Sequence, residues 1–528
     1  MTEEDAVTTS LCVDLVHYFA KKKLDLGLYA RWAALRFVCL FGSEVCSEPL
    51  QELANQIGIQ HKKLRKILDE LSVLQILKIT FPEDRERSRV RHIVFNSELI
   101  CGEGKIANKY TKAILNSHPG FRFINEILAT SHNILVSNKQ KNNKLFHEMI
   151  ANDFMVLICL HYYSDHCGVV TLCGSPEIMW FTGLSKANIY KSITKLKRYG
   201  FIRSHTHGTI NNTILESSAP IYALNLSHDF FGKSTIYGNF YITKFNEDYI
   251  LEVQDAYNQF EYIRAYDTNV DREIDLDNSD LMSRFEPYYL NFARGKWKEY
   301  GISNLFKKST KQLVKENNVL STAYSLKANI FFLQSILEEW ASRIFETRVY
   351  QIIKNDREPY FQVDYGDLLS KRNLSDFFYQ EFLLDEIKPV SLYSERFKEL
   401  NDSDRSQFYF FLLRILEKIM RVHLYFYGWY KFHQNKNVSS TPAGFQRIGV
   451  RVLPRTGDWA HVSCVFELAL DPKVERNKFF VMKAEHGKTI TPNESNFYEE
   501  IQPDLDVLKQ FGLLDKSCLA IDNFPSNP

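Results

Sequence analysis

The stretch "WFTGLSKANIYKSITKLKRYGFIRSHTHG", residues 180–208, decides how the chain folds. Ile189, Ile193 and Leu196 recur at helical spacing, so one face of that segment is apolar and the rest is polar. Gly183 stands just before it, at a corner where positive φ lets one helix stop and the next leave at a steep angle. Ser185 is placed to cap the second helix, and the Ser175-Pro176 pair marks the start of the first. After Gly200, "FIRSHTH" is β-prone and leads into a polar, glycine-tipped loop.

The same grammar occurs 125 residues earlier, in "LANQIGIQHKKLRKILDELSVLQILKI" from Leu53. Without a gap, Leu53 falls on Ile178, Gly58 on Gly183, Leu64 on Ile189, Leu68 on Ile193, Leu71 on Leu196 and Ile76 on Phe201. One unit is therefore used twice. Each copy continues into two β-prone runs around a polar loop: "ILKITF" and "VRHIVFN" in the first, "FIRSHTH" and "TILESSAPIYALNLS" in the second. A helix is expected before each copy, at about 29–42 and 146–164, with "GVVTLC" a further short strand. Copy one has Gln75 where copy two has Gly200, which predicts a weaker turn into its hairpin.

Both copies resemble winged helix-turn-helix domains, over residues about 28–98 and 145–227. "TGLSKANIYKSITKLKRYGFI" is the more family-like pattern. The resemblance implies double-stranded DNA as partner, with the second helix of each copy in the major groove. Its exposed positions are expected to be His61, Lys62, Lys63, Arg65 and Lys66 in copy one. In copy two they are Lys186, Asn188, Tyr190, Lys191, Ser192 and Lys195, with Ser185 at the helix start. Asn188 suits adenine and the lysines suit phosphate. Arg85, Arg87, Arg89 and Arg91 alternate, which on a strand places all four on one side, facing phosphate or the minor groove. The second wing offers Arg203, His205 and His207.

Charge supports the same half of the chain. Residues 1–240 carry 28 Lys and Arg against 22 Asp and Glu, and the remainder 37 against 42, although the net charge of the whole is only +1. At 528 residues with 45% hydrophobic and 24% charged side chains, the chain is a multidomain globular protein. Nine cysteines without a CxxC pair argue for a reducing compartment. The acidic start "MTEEDAVTTSLC" is not a signal peptide, and Arg414, Glu417, Lys418 and Arg421 interrupt the greasiest segment, residues 408–432, so no membrane span is expected. A cytoplasmic, nucleoid-associated protein follows.

The expected fold class is mainly α with small β wings. Two winged helix-turn-helix domains, at 1–100 and 145–243, flank a connecting segment at 101–144. A helical domain over 244–435 and a small α+β C-terminal region over 436–528 follow, with strands in "GFQRIGVRVLPRTGDWAHVSCVFELALDPK" and "NKFFVMKA" and a helix near 495–512. Residues 244–528 are assigned to homo-oligomer or partner contact. No GxxxxGK[ST], GxGxxG or GxSxG motif occurs, so no cofactor, catalytic residue or metal is expected. Asp458, Asp471 and Lys473 resemble a metal-dependent nuclease layout only superficially, because Pro472 interrupts it. Cys159, His161, His166 and Cys167 straddle a helix end, and core packing explains them better than zinc. Asp271, Glu273, Asp275, Asp277 and Asp280 read as a solvated linker. The leading function is a sequence-specific transcription regulator. The alternatives are a plasmid-type replication initiator, a kleisin-like winged-helix scaffold and a DNA-targeted nuclease.

Overall fold

The computed structural model describes residues 3–22, 24–80, 91–102, 119–139, 146, 148–165, 167–171, 173–206, 208, 219–245, 338–339, 447–452, 462–469, 477–482, 498–510, 513–515 and 517–519. These are mainly helical with small sheets. The chain divides into two compact units: Met1–His205, Tyr222–Tyr237 and Asp504–Pro528 in the first, Thr206–Ile221 and Gly238–Pro503 in the second.

The first unit is built from the duplicated segment. In copy one, α1 (Glu3–Lys21) precedes α2 (Leu28–Phe41), α3 (Leu50–Ile57) and α4 (His61–Val73). Strands β1 (Leu77–Thr80) and β2 (His92–Phe95) then pair antiparallel, Leu77 opposite Phe95, before α5 (Ser97–Gly102). Copy two repeats this order. It runs through α6 (Pro119–Lys139), α7 (Ala151–Tyr163), β3 (Val169–Val170), α8 (Ser175–Thr182), α9 (Lys186–Arg198), β4 (Ile202–Thr206) and β5 (Ile221–Leu224). A short 3-10 helix, Asp229–Ser234, follows.

The apolar stripes read from the sequence are the buried ones. Leu64, Ile67, Leu68 and Leu71 line the inner face of α4, and Ile189, Ile193 and Leu196 that of α9. Each such side chain contributes about 1.5–3 kcal/mol when fully removed from water. Gly58 and Gly183 end α3 and α8 in the left-handed region, at φ 81° and 71°. At the start of α8 the helix cap is Gly174 rather than Ser175: its N–H donates to Glu177 Oε2 at 2.8 Å.

The turn out of each second helix is also identical. Gln75 N donates to Ser72 O and Ile76 N to Leu71 O, as Gly200 N does to Lys197 O and Phe201 N to Leu196 O. Gln75 closes the same turn as Gly200, but at φ 57°, against 79° for the glycine, it bears a left-handed backbone as a non-glycine residue. An asparagine holds each turn from the returning strand. Asn96 Nδ2 donates to Gln75 O at 2.8 Å and Asn225 Nδ2 to Gly200 O at 3.0 Å. A third strand-like segment completes each sheet, Cys46 bridging to Ile93 in copy one and β3 pairing with β5 in copy two.

The two copies embrace reciprocally. α1 packs on α8, α6 packs on α3, and α2 meets α7 at the centre, where the rings of Trp32 and Phe154 stack at 6.2 Å. Residues 101–144, expected as a connecting segment, thus contain α6, a 21-residue helix with Phe123, Ile124, Ile127 and Leu128 buried. Two buried arginines stitch the halves. Arg31 donates to Leu24 O, Leu26 O and, across the join, Phe181 O at 3.2 Å. Arg36 donates to Leu128 O of α6 and to Gln56 O of α3. Burial pulls the Arg31 guanidinium down to about 10, so it still carries its charge at neutral pH.

The second unit contains a five-stranded sheet in the order β10-β9-β6-β8-β7. Its strands are β6 (Gly238–Phe245), β7 (Arg447–Val452), β8 (Val462–Ala469), β9 (Lys478–Met482) and β10 (Tyr498–Ile501). β6 pairs antiparallel with β8 and parallel with β9, where the Phe240 and Phe479 rings stack at 5.1 Å. The expected strands in "RIGVRV", "VSCVFELA" and "KFFVM" are present. The expected helix near 495–512 is divided: residues 498–501 pair with β9, and among the described residues of that stretch α10 (Leu505–Gln510) is the helical part. Of the long helical region expected over 244–435, only 244–245, in β6, and Glu338 and Glu339, which are helical, are among the described residues.

Candidate nucleic-acid interface

The outward face of α4 carries His61, Lys62, Lys63, Arg65 and Lys66, all exposed, followed by exposed Asp69 and Glu70. An anion would therefore meet the first turns, where the helix dipole also favours it. Lys63 is partly committed within the protein: its ammonium lies 3.2 Å from the centroid of the Tyr29 ring. Lys62, Arg65 and Lys66 are exposed.

On α9, Lys186, Tyr190 and Lys191 are exposed, Tyr190 at 72%, and Asn188 is half-buried. A tyrosine so exposed on a helix stabilises nothing through burial. Ser185 occupies the cap position but makes no side-chain capping bond, contrary to expectation; its carbonyl accepts from Asn188 N and Ile189 N.

Three other expected contacts are directed inward. Ser192 is buried, and its hydroxyl donates to Asp153 Oδ1 at 2.6 Å. Lys195 donates to Glu148 O at 2.7 Å and pairs with Asp153 Oδ2 at 3.2 Å, tying α9 to the start of α7. Arg203, only 4% exposed, directs Nε to Leu224 O at 3.0 Å across the sheet. The cause is the same for all three: a carboxylate or carbonyl from another element lies opposite a position that spacing alone leaves outside.

At the root of the second hairpin, His205 stacks on Tyr222 with centroids 4.9 Å apart, and its Nδ1 lies 2.9 Å from Lys197 Nζ. Arg91 is half-buried at the entry to β2. Arg85, Arg87, Arg89 and His207 lie outside the described residues, as do Asp458, Asp471, Lys473, His166 and the acidic run from Asp271. Sequence reasoning missed Tyr29, Asp153 and Lys197. Asp153 at the third position of a helix was a readable signal, because its carboxylate also accepts from Ile150 N at 2.9 Å.

The Cys and His residues of α7 pack in the core. Cys159 Sγ lies 3.8 Å from Cys173 Sγ, and His161 sits among Phe123 and Phe231. Among the described residues, no three His, Cys, Asp or Glu side chains are grouped to hold a metal ion, and no helix is long and apolar enough to cross a membrane. No protein-family model matches the chain, and no curated protein matches it either.

Proposed function

We propose that the protein binds double-stranded DNA in a sequence-dependent manner through two winged helices, α4 and α9 being the reading helices, and that it regulates transcription. The observation that carries this reading is the division of labour on those helices. Leu64, Ile67, Leu68 and Leu71 of α4 and Ile189, Ile193 and Leu196 of α9 are taken up by the core, and Ser192 and Lys195 by Asp153. Toward the start of each helix the exposed side chains are mostly basic or aromatic, His61, Lys62, Arg65 and Lys66 on α4 and Lys186, Tyr190 and Lys191 on α9, whereas exposed Asp69, Glu70 and Val73 lie toward the end of α4 and Thr194 toward that of α9. A major groove takes such a helix and supplies phosphates to its lysines and base edges to its tyrosine. The reciprocal packing of the copies adds support, since two-fold pairs of helix-turn-helix units present two reading helices to successive turns of one duplex.

The salt dependence of duplex binding by the whole chain tests the reading. With about 6 phosphate contacts, affinity falls by roughly three decades between 50 and 200 mM salt. In the Lys186→Ala/Lys191→Ala chain the slope should shrink by about 2 units, because each lost phosphate contact removes roughly 0.9. An unchanged slope removes α9 from the interface.

A further inference from the structure

The last described residues of the chain return to the second copy. Asp504–Pro528 belongs to the first compact unit although residues 238–503 intervene. α10 and the turn behind it bury Leu513 and Cys518, and the Cys518 sulfur lies against Gly200, where an added Cβ would meet it at 3.3 Å. Leu519 N donates to Arg198 O at 3.0 Å, so an outside segment satisfies one of the last carbonyls of α9. Asp515 Oδ2 lies 3.6 Å from Lys197 Nζ, with both side chains about four-fifths buried, at 17% and 20% exposure.

Lys197 is the hub of this contact. It faces Asp515 on one side and His205 Nδ1 at 2.9 Å on the other, and His205 is fixed to the sheet by its stack on Tyr222. The segment therefore grips the end of α9 and the root of the hairpin together. Burial pushes the Asp515 carboxyl up, but the Ser517 hydroxyl and amide and the Lys197 ammonium outweigh it, leaving the group below the ordinary carboxylate range.

We propose that residues 504–510, 513–515 and 517–519 form a strap that positions the second reading helix relative to its wing, with Asp515 acting through Lys197 as a positioning residue for DNA binding. This inference rests on the DNA-binding reading above.

The test uses the full chain with Asp515→Lys, Lys197→Asp and the exchanged pair Lys197→Asp/Asp515→Lys, beside Lys186→Ala/Lys191→Ala. Two quantities are read: hydrogen exchange of the amides at residues 199–204, and affinity for a duplex selected by the wild-type chain. Each single variant should raise exchange and lower affinity by about tenfold, the scale of one partly buried ion pair, and the exchanged pair should restore both. Exchange that rises while affinity stays at the wild-type value makes the contact merely structural and overturns the proposal. So does exchange that does not move, or an exchanged pair that restores neither quantity. If affinity ignores Lys186 and Lys191 as well, the DNA reading itself has failed, and the exchange result still shows whether the strap holds the turn.

Discussion

At the scale of single residues, buried polar groups report the tightest constraints. His228 is fully enclosed: its ring stacks on Phe201 at 4.1 Å, Nε2 lies 2.9 Å from Tyr199 O, and Nδ1 accepts from Phe230 N at 3.1 Å. These partners require the neutral ring with its proton on Nε2. Burial lowers its pKa from 6.5 to about 4, against the opposing pull of the Tyr199 carbonyl. A base with a depressed folded pKa leaves the unfolded chain binding the extra proton. Stability is therefore full above about pH 6.5 and falls as pH drops toward 4, by roughly 3 kcal/mol in all. Thermal unfolding at pH 7.5 and pH 5 should show about 2 kcal/mol of this drop in the wild type. A His228→Asn chain should start lower at pH 7.5 and lose less on acidification. Equal acid losses in both would remove His228 as the cause.

Residues also show what sequence could and could not convey. The stripe from Leu64 to Leu71 and its copy were legible because burial there follows from periodicity alone. The equivalence of Asn96 and Asn225 was not, because the hairpins differ in length and the two residues stand 129 apart instead of 125. Gln75 was legible only in part: its left-handed backbone costs a non-glycine residue about 1 kcal/mol, as its identity suggests, but the bond from Asn96 to its carbonyl comes from 21 residues away.

At the scale of elements, the corners of the two helix pairs have the same backbone but different surroundings. Gly58 faces only Leu135, at 3.5 Å from a built Cβ, whereas at Gly183 a Cβ would meet Leu26 O at 2.7 Å and Leu28 N at 3.1 Å. Gly58→Ala should therefore cost only the positive-φ penalty, about 1 kcal/mol. Gly183→Ala adds a backbone collision with the segment leading into α2 and should cost roughly 3 kcal/mol or more. Denaturant unfolding of the two variants checks the difference, and equal losses would contradict the close approach of α8 to residues 26–28. The helix α6 was readable in principle, since Phe123, Ile124, Ile127 and Leu128 follow helical spacing. Polar flanks such as "NKQKNNK" at 138–144 disguised it as a connector. The inward turn of Lys195 was not readable, because its partner Asp153 lies 42 residues away on another helix.

At the scale of the whole molecule, the duplication explains why so large a first unit forms from two small ones. Neither copy is self-contained: α1 leans on α8, α6 on α3, and Arg31 and Arg36 carry hydrogen bonds across the join. That reciprocity is the logic of an isologous dimer written into one chain. The central claim is that this paired unit reads DNA with α4 and α9. Its most direct test is selection of bound duplexes from a random pool by the full chain, followed by sequencing, beside the Lys186→Ala/Lys191→Ala chain. The account predicts one enriched motif made of two half-sites, their centres about one helical turn or a multiple of it apart, with one half-site lost in the variant. Weak binding with no enriched motif, indifferent to Lys186 and Lys191, would contradict it and make the two copies docking modules for other proteins.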